Sequence, residues 1–213
     1  MQRGTKRGLR ILALALMVLT TALVWQINAR REQTDEVILK LGEPYERIRL
    51  RSRSSLPPRG TGSISMASVI AKFRFDDPVY GFTTPVAVFS QMGFDDSENS
   101  NVASVQLSPQ LKALPLDETI AIVMDIQGQL RRSGWRAFQY SYWRPIENTP
   151  ITRRAIEACK DPMSVWNGGD KYQVTLDVRC FSTQMPPGQE RYVVTLELGP
   201  QFYKDTAGSE AAH

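Results

Sequence analysis

The chain runs to 213 residues with 26 Lys/Arg, 22 Asp/Glu and a single His, a formal net charge of +4 and a pI near 9.2. Six of the basic residues and no acid fall in residues 1–31, which leaves 20 basic against 22 acidic residues in 32–213. The basic character therefore belongs to the N-terminus, nucleic-acid binding is disfavoured, and the remaining length suits one domain with a shared core.

The first segment decides the compartment. No charged residue occurs from Ile11 to Trp25. With Leu9 and Ile27 included, nineteen residues of helix reach roughly 28 Å, close to the roughly 30 Å of a hydrocarbon core, provided Arg10 snorkels toward the headgroups. Trp25 stands at the far edge, where an indole prefers the interface. The rival reading is a secretory peptide cut after Ala22 or Ala29. The first cut leaves Leu23-Val24-Trp25 on the new terminus and the second leaves Arg30 there. A retained signal-anchor is the expectation. Arg3, Lys6, Arg7 and Arg10 precede the run, whereas Arg30 and Arg31 after it are soon answered by Glu32, Asp35 and Glu36. The positive-inside rule then makes a single-pass protein of the bacterial inner membrane, with its C-terminal domain in the periplasm. The expected division is a cytoplasmic basic tip 1–8, a transmembrane anchor 9–27, a periplasmic domain 28–203 and a disordered tail 204–213.

Val37-Ile38-Leu39-Lys40-Leu41 reads as a strand ended by Gly42, and Pro44 suits the first position of a short helix. Arg47, Arg49, Arg51 and Arg53 recur every second residue, so a strand would carry one basic face while a helix would smear the charges. Such a segment meets anionic headgroups or an acidic partner, or is simply a solvated face. Residues 54–63 are loop-like, 64–75 have a mixed strand pattern, and "FDDPVYGFTTP" is turn-rich. Val86–Phe94 and Val102–Leu107 form a plausible hairpin around the acidic tip "DDSENSN".

The strongest helix signal follows. Asp117 is a natural N-cap, Ile120, Ile122, Val123, Ile126 and Leu130 make an apolar stripe, and Gly134 fits the left-handed stop. Gly128 interrupts it, which a close backbone contact would explain. Trp135 is expected to fold back on the core. A second helix runs from Pro150 to Lys160 with Thr149 as cap. Tyr172–Cys180 and Tyr192–Leu198 alternate apolar and polar residues, as an antiparallel sheet covered on one side requires. The expected fold class is α+β: behind the transmembrane helix, a mostly antiparallel sheet packed against two helices. Cys159 on the second helix and Cys180 on the inward face of a strand are either a disulfide, which export favours, or two buried thiols.

Chemical motifs are absent. The only histidine is His213, so His-dependent triads and His-bearing zinc sites are excluded, and two cysteines make no Cys₄ site. No P-loop, G-x-S-x-G or G-x-G-x-x-G occurs. No cofactor, metal or small-molecule substrate is implied. Asp76, Asp77, Asp95, Asp96 and Glu98 are carboxylates from which a cell-wall hydrolase would have to be built, but solvated turns are the simpler reading. Residues 135–143 hold five aromatics, flanked within 133–150 by Arg136 and Arg144. Tyr, Trp and Arg anchor protein contacts, and Tyr142, Trp143 and Arg144 are the best surface candidates, with the acidic tip Asp95, Asp96 and Glu98 a second one.

Through "KLGEPYERIR" (40–49) and "LPLDETIAIVMDIQGQLRRSGW" (114–135) the chain resembles small membrane-anchored exported proteobacterial proteins, among them immunity proteins that neutralise secreted toxins. The resemblance implies a non-enzymatic protein-binding domain with a toxin as partner and carries no site residue with it. The alternative is a structural or assembly component of an envelope or secretion complex.

Overall fold

The computed structural model describes residues 35–54, 56–58, 64–65, 69–95, 100–139, 142–181 and 190–204. Three helices and nine strands occur among them: β1 (Glu36–Leu39), α1 (Tyr45–Arg51), β2 (Ile64–Ser65), β3 (Ile70–Phe75), β4 (Phe82–Phe94), β5 (Val102–Ser108), α2 (Leu116–Arg132), β6 (Arg136–Ala137), α3 (Pro150–Glu157), β7 (Met163–Gly168), β8 (Tyr172–Cys180) and β9 (Tyr192–Pro200). The class is α+β, with one sheet ordered β1-β3-β4-β5-β9-β8-β7-β6 and β2 paired to β4. Only β1 with β3 is parallel, and α1 lies in the connection between them. The run 9–27, the acids Asp96 and Glu98, and the tail beyond Lys204 lie outside the described residues. Among the described residues no helix is long and apolar enough to cross a membrane.

The register explains the core. Val174, Leu176 and Val178 of β8 face Leu198, Leu196 and Val194 of β9 as direct cross-strand partners, and all six are buried. Ile120, Val123, Ile126 and Leu130 of α2 are buried against the same face, while Ile122 is only partly covered. The sheet curls strongly around this apolar side. Four steps of roughly 4.8 Å separate β3 from β8 in a flat sheet, yet the rings of Phe75 and Tyr172 are 5.1 Å apart. Trp135 fills the fold, with Tyr80, Phe82, Phe75 and Tyr172 at ring distances of 5.5, 6.0, 6.4 and 6.5 Å. Its indole nitrogen donates to the Tyr80 carbonyl at 2.9 Å. A Cβ at Gly168 would lie 3.0 Å from this indole, so any larger residue there would have to push the ring aside.

Several local expectations need correction. Asp117 is not the N-cap of α2: the helix starts at Leu116 after Pro115, because Leu114 is locked to Tyr192 by two backbone hydrogen bonds of 3.0 and 2.8 Å. Asp117 sits in the first turn instead and pairs with Arg153. Likewise Pro44 precedes α1 in extended conformation rather than opening it. β4 begins at Phe82, inside the stretch expected to be turn. Pro85 is tolerated because the register with β3 shifts there and the Thr84 hydroxyl accepts the Phe73 N–H at 3.4 Å. The Thr149 cap holds, with Thr152 N–H donating to its hydroxyl at 3.2 Å, but α3 ends at Glu157 because Cys159 adopts a left-handed φ of 53°. That turn brings Cys159 to Cys180, with their sulfurs 2.03 Å apart. No close backbone meets Gly128; an added Cβ would touch only the far end of Arg132, at 3.3 Å.

Candidate partner-binding face

One side of the sheet carries the helices, and the polar side chains of β5, β8 and β9 point to the other. Gln173, Thr175, Asp177 and Arg179 succeed one another on β8, with Thr195 and Glu197 beside them on β9 and Ser104 and Gln106 on β5. They floor an open groove of about 480 Å³. Arg179 donates to Asp177 Oδ2 from Nη2 at 2.7 Å and from Nε at 3.1 Å. The hydrogen bonds and charge of Asp177 raise the guanidinium above its ordinary range, so it stays cationic at any physiological pH. Oδ1 of Asp177 is shielded and makes no hydrogen bond among the described residues.

The end of this groove near the start of β8 is aromatic. Phe202 and Tyr203 follow β9 and are held by Gln173, whose amide nitrogen donates to the Tyr203 carbonyl at 2.9 Å while its oxygen accepts the N–H groups of Phe202 and Tyr203 at 3.4 and 3.1 Å. Trp143 packs, tilted, against Tyr203 at 4.5 Å and against Phe138 at 5.5 Å. Its carbonyl accepts the Val165 N–H at 3.1 Å, which fixes segment 142–144 along β7. On this base stand two bare rings, Tyr142 at 83% and Phe202 at 81% exposure. Tyr142 and Arg144 border a smaller hollow of about 270 Å³ that shares Met163 with the groove. Arg144 donates to the Gln139 carbonyl at 3.3 Å and points its charge outward.

Of the residues singled out from sequence, Tyr142, Trp143 and Arg144 thus gather at one rim, while Trp135 and Phe138 are core. Asp95 lies elsewhere. Its carboxylate closes the β4–β5 hairpin by accepting from Asn101 N–H at 3.0 Å and from the Asn101 amide at 3.1 Å. The other carboxylates are also committed. Asp76 is an exposed ion-pair partner of Arg51 at 3.7 Å, and Asp77 accepts the N–H groups of Val79 and Tyr80 at 2.9 and 2.8 Å. None of these three lines the groove. Of the alternating arginines, Arg47, Arg49 and Arg51 fall on α1, where Arg47 and Arg51 pair with Glu43 and Arg49 with Glu46, and Arg53 lies past the helix end. Phe202, Tyr203, Asp177 and Glu197 had no distinguishing sequence signal beyond an aromatic pair just after a strand and the polar half of an alternation.

The chain matches no family model, no curated protein and no solved structure.

Proposed function

We propose that the chain is a membrane-anchored periplasmic protein-binding domain without catalysis, and that its partner docks on the helix-free face of the sheet. The observation that carries this reading is the pair of rings, Tyr142 and Phe202, each more than four-fifths exposed, with Phe202 packed edge-on against Tyr203 and Tyr142 next in sequence to Trp143, which contacts Tyr203. Side chains of this type supply a large contact area at low entropic cost, and the neighbouring Trp143 and Tyr203 are packed together. The groove adds Arg179, Asp177 and Glu197 as polar contacts that orient a partner rather than attract one at long range. The Asp177–Arg179 pairing commits the two charges on β8 to each other, which suits a binding role. Following the resemblance carried by residues 40–49 and 114–135, we assign the partner to the class of secreted toxins.

The test is affinity capture of the full-length protein from detergent-solubilised membranes, beside a Tyr142→Ala/Phe202→Ala variant. One soluble protein at near-equal stoichiometry, lost in the variant, is the expected result. Several integral membrane proteins would favour the envelope-complex alternative, and capture unaltered by the double substitution would remove this face from the account.

A further inference from the structure

The helix-free face changes character at its other end. Past Arg179 on β8 comes Phe181, and the cross-strand partner of Arg179 is Val193. These two, with Val88, Leu111 and Ala113, line an open hollow of about 530 Å³ whose charged lining residues are Lys112 and Arg191, with no carboxylate among them. Phe181 is 64% exposed, Leu111 57% and neighbouring Ile70 52%. Ile70 is the direct partner of Val88, and Lys72, exposed two residues further along β3, shares their face. This is an apolar patch bordered by cations.

The patch lies near the point where the chain enters the sheet. Lys72 N–H donates to the Asp35 carbonyl at 2.7 Å and Glu36 pairs with Lys72, so the chain reaches the sheet two strands from Val88. At a strand spacing of roughly 4.8 Å, that is about 10 Å from the patch. Only residues 28–34 separate Asp35 from the apolar run 9–27. Eight residue steps span at most about 29 Å when fully extended, so a bilayer holding that run is within reach of this end of the domain. The aromatic rim of Phe202 and Tyr203 lies at the opposite end of β8, beside Gln173.

We infer that the patch formed by Leu111, Phe181, Ile70 and Val88, with Lys112 and Arg191, is a second membrane contact that beds the domain on the anionic headgroups of the anchoring bilayer. The inference rests on the reading of residues 9–27 as a retained anchor. Phe181 and Leu111 enter the headgroup layer, Lys112 and Arg191 meet lipid phosphates, and the Tyr142–Phe202 rim is held away from the lipid.

The test reconstitutes the full-length protein into phosphatidylethanolamine/phosphatidylglycerol vesicles with an environment-sensitive fluorophore on Leu111→Cys, and in parallel on Tyr142→Cys and Leu50→Cys. All three side chains are exposed, so labelling leaves the core intact. Insertion by about 5–10 Å predicts at least about two-fold quenching at position 111 by lipid-borne spin labels and none at 142 or 50. A Lys112→Glu substitution weakens that quenching. If the protein floats with the vesicles but position 111 is unquenched, or is shielded only by protein, the patch is not a lipid contact and the anchor reading survives. If the protein fails to float after a high-salt wash, the anchor reading falls and takes this inference with it.

Discussion

Gln127 occupies a place on α2 where the spacing of Ile120, Val123 and Leu130 calls for an apolar residue, and it is fully buried. Its amide nitrogen donates to the Ile146 carbonyl at 2.8 Å, and its oxygen accepts the Ile146 N–H at 3.0 Å. The side chain thus acts as a one-residue strand that pins the loop before α3. Gln110 does the same at β9, donating to the Tyr192 carbonyl at 2.9 Å and accepting the Val194 N–H at 3.1 Å. A polar residue on an apolar stripe was a visible signal, but its partner 19 residues away was not. Replacing Gln127 by Ala strands two buried backbone groups and is expected to cost about 1–3 kcal/mol in urea denaturation; a change below about 0.5 kcal/mol would show that the clamp is dispensable. Asp77 gives a pH-dependent counterpart. Burial acts to raise its carboxyl, but the N–H groups of Tyr80 and Val79, the Tyr172 hydroxyl and Lys171 together outweigh burial and hold it below the usual range. A folded-state depression contributes stability in full above the unfolded value, about 4, and loses it as pH falls through the folded value. Asp77→Asn should therefore be less stable at neutral pH, with the gap from wild type closing below pH about 4. A gap constant from pH 7 to 3 would contradict the assignment.

At the scale of elements, strands with one wet face were legible and strands covered on both were not. β8 and β9 alternate cleanly because only one side is packed. β7 escaped because five of its six residues are buried, so "MSVWNG" shows no period to read. Helix ends were misplaced where tertiary locks act: the Leu114–Tyr192 bridge starts α2 early, and Cys159 stops α3 early. The Cys159–Cys180 link joins that stop to the end of β8 across a separation of 21 residues. In the chain-entropy account, closing such a loop contributes about 3 kcal/mol. Cys159→Ser/Cys180→Ser is expected to lose about that much, and wild type should drop to the same urea midpoint under reductant; a midpoint indifferent to reductant would mean that the link adds nothing. Gly128 points the other way. With only the flexible tip of Arg132 in its path, Gly128→Ala should stabilise α2 by about 0.5–1 kcal/mol, read as a rise in Tm, whereas a fall would reveal a constraint on the helix backbone.

For the whole molecule, the curl of the sheet was beyond sequence, because the approach of Phe75 to Tyr172 depends on the coiling of every strand between them. The candidate face was half legible for the same reason. The aromatic run named Tyr142, Trp143 and Arg144, but their neighbours Phe202 and Tyr203 arrive from the far end of the chain. Among the described residues both edges of the sheet are occupied: Arg51 and Ser52 hydrogen-bond the backbone of Ile38 on β1, and Phe138 and Trp143 hydrogen-bond the backbone of Val165 on β7. In the proposed reading a partner would therefore meet the helix-free face rather than add a strand. The most direct measurement is photo-crosslinking in living cells from an unnatural side chain at position 142, with position 50 on α1 as the equally exposed control. A discrete adduct from 142, absent from 50 and abolished by Phe202→Ala, is the predicted result. No adduct from 142, or the same adducts from both positions, would contradict it.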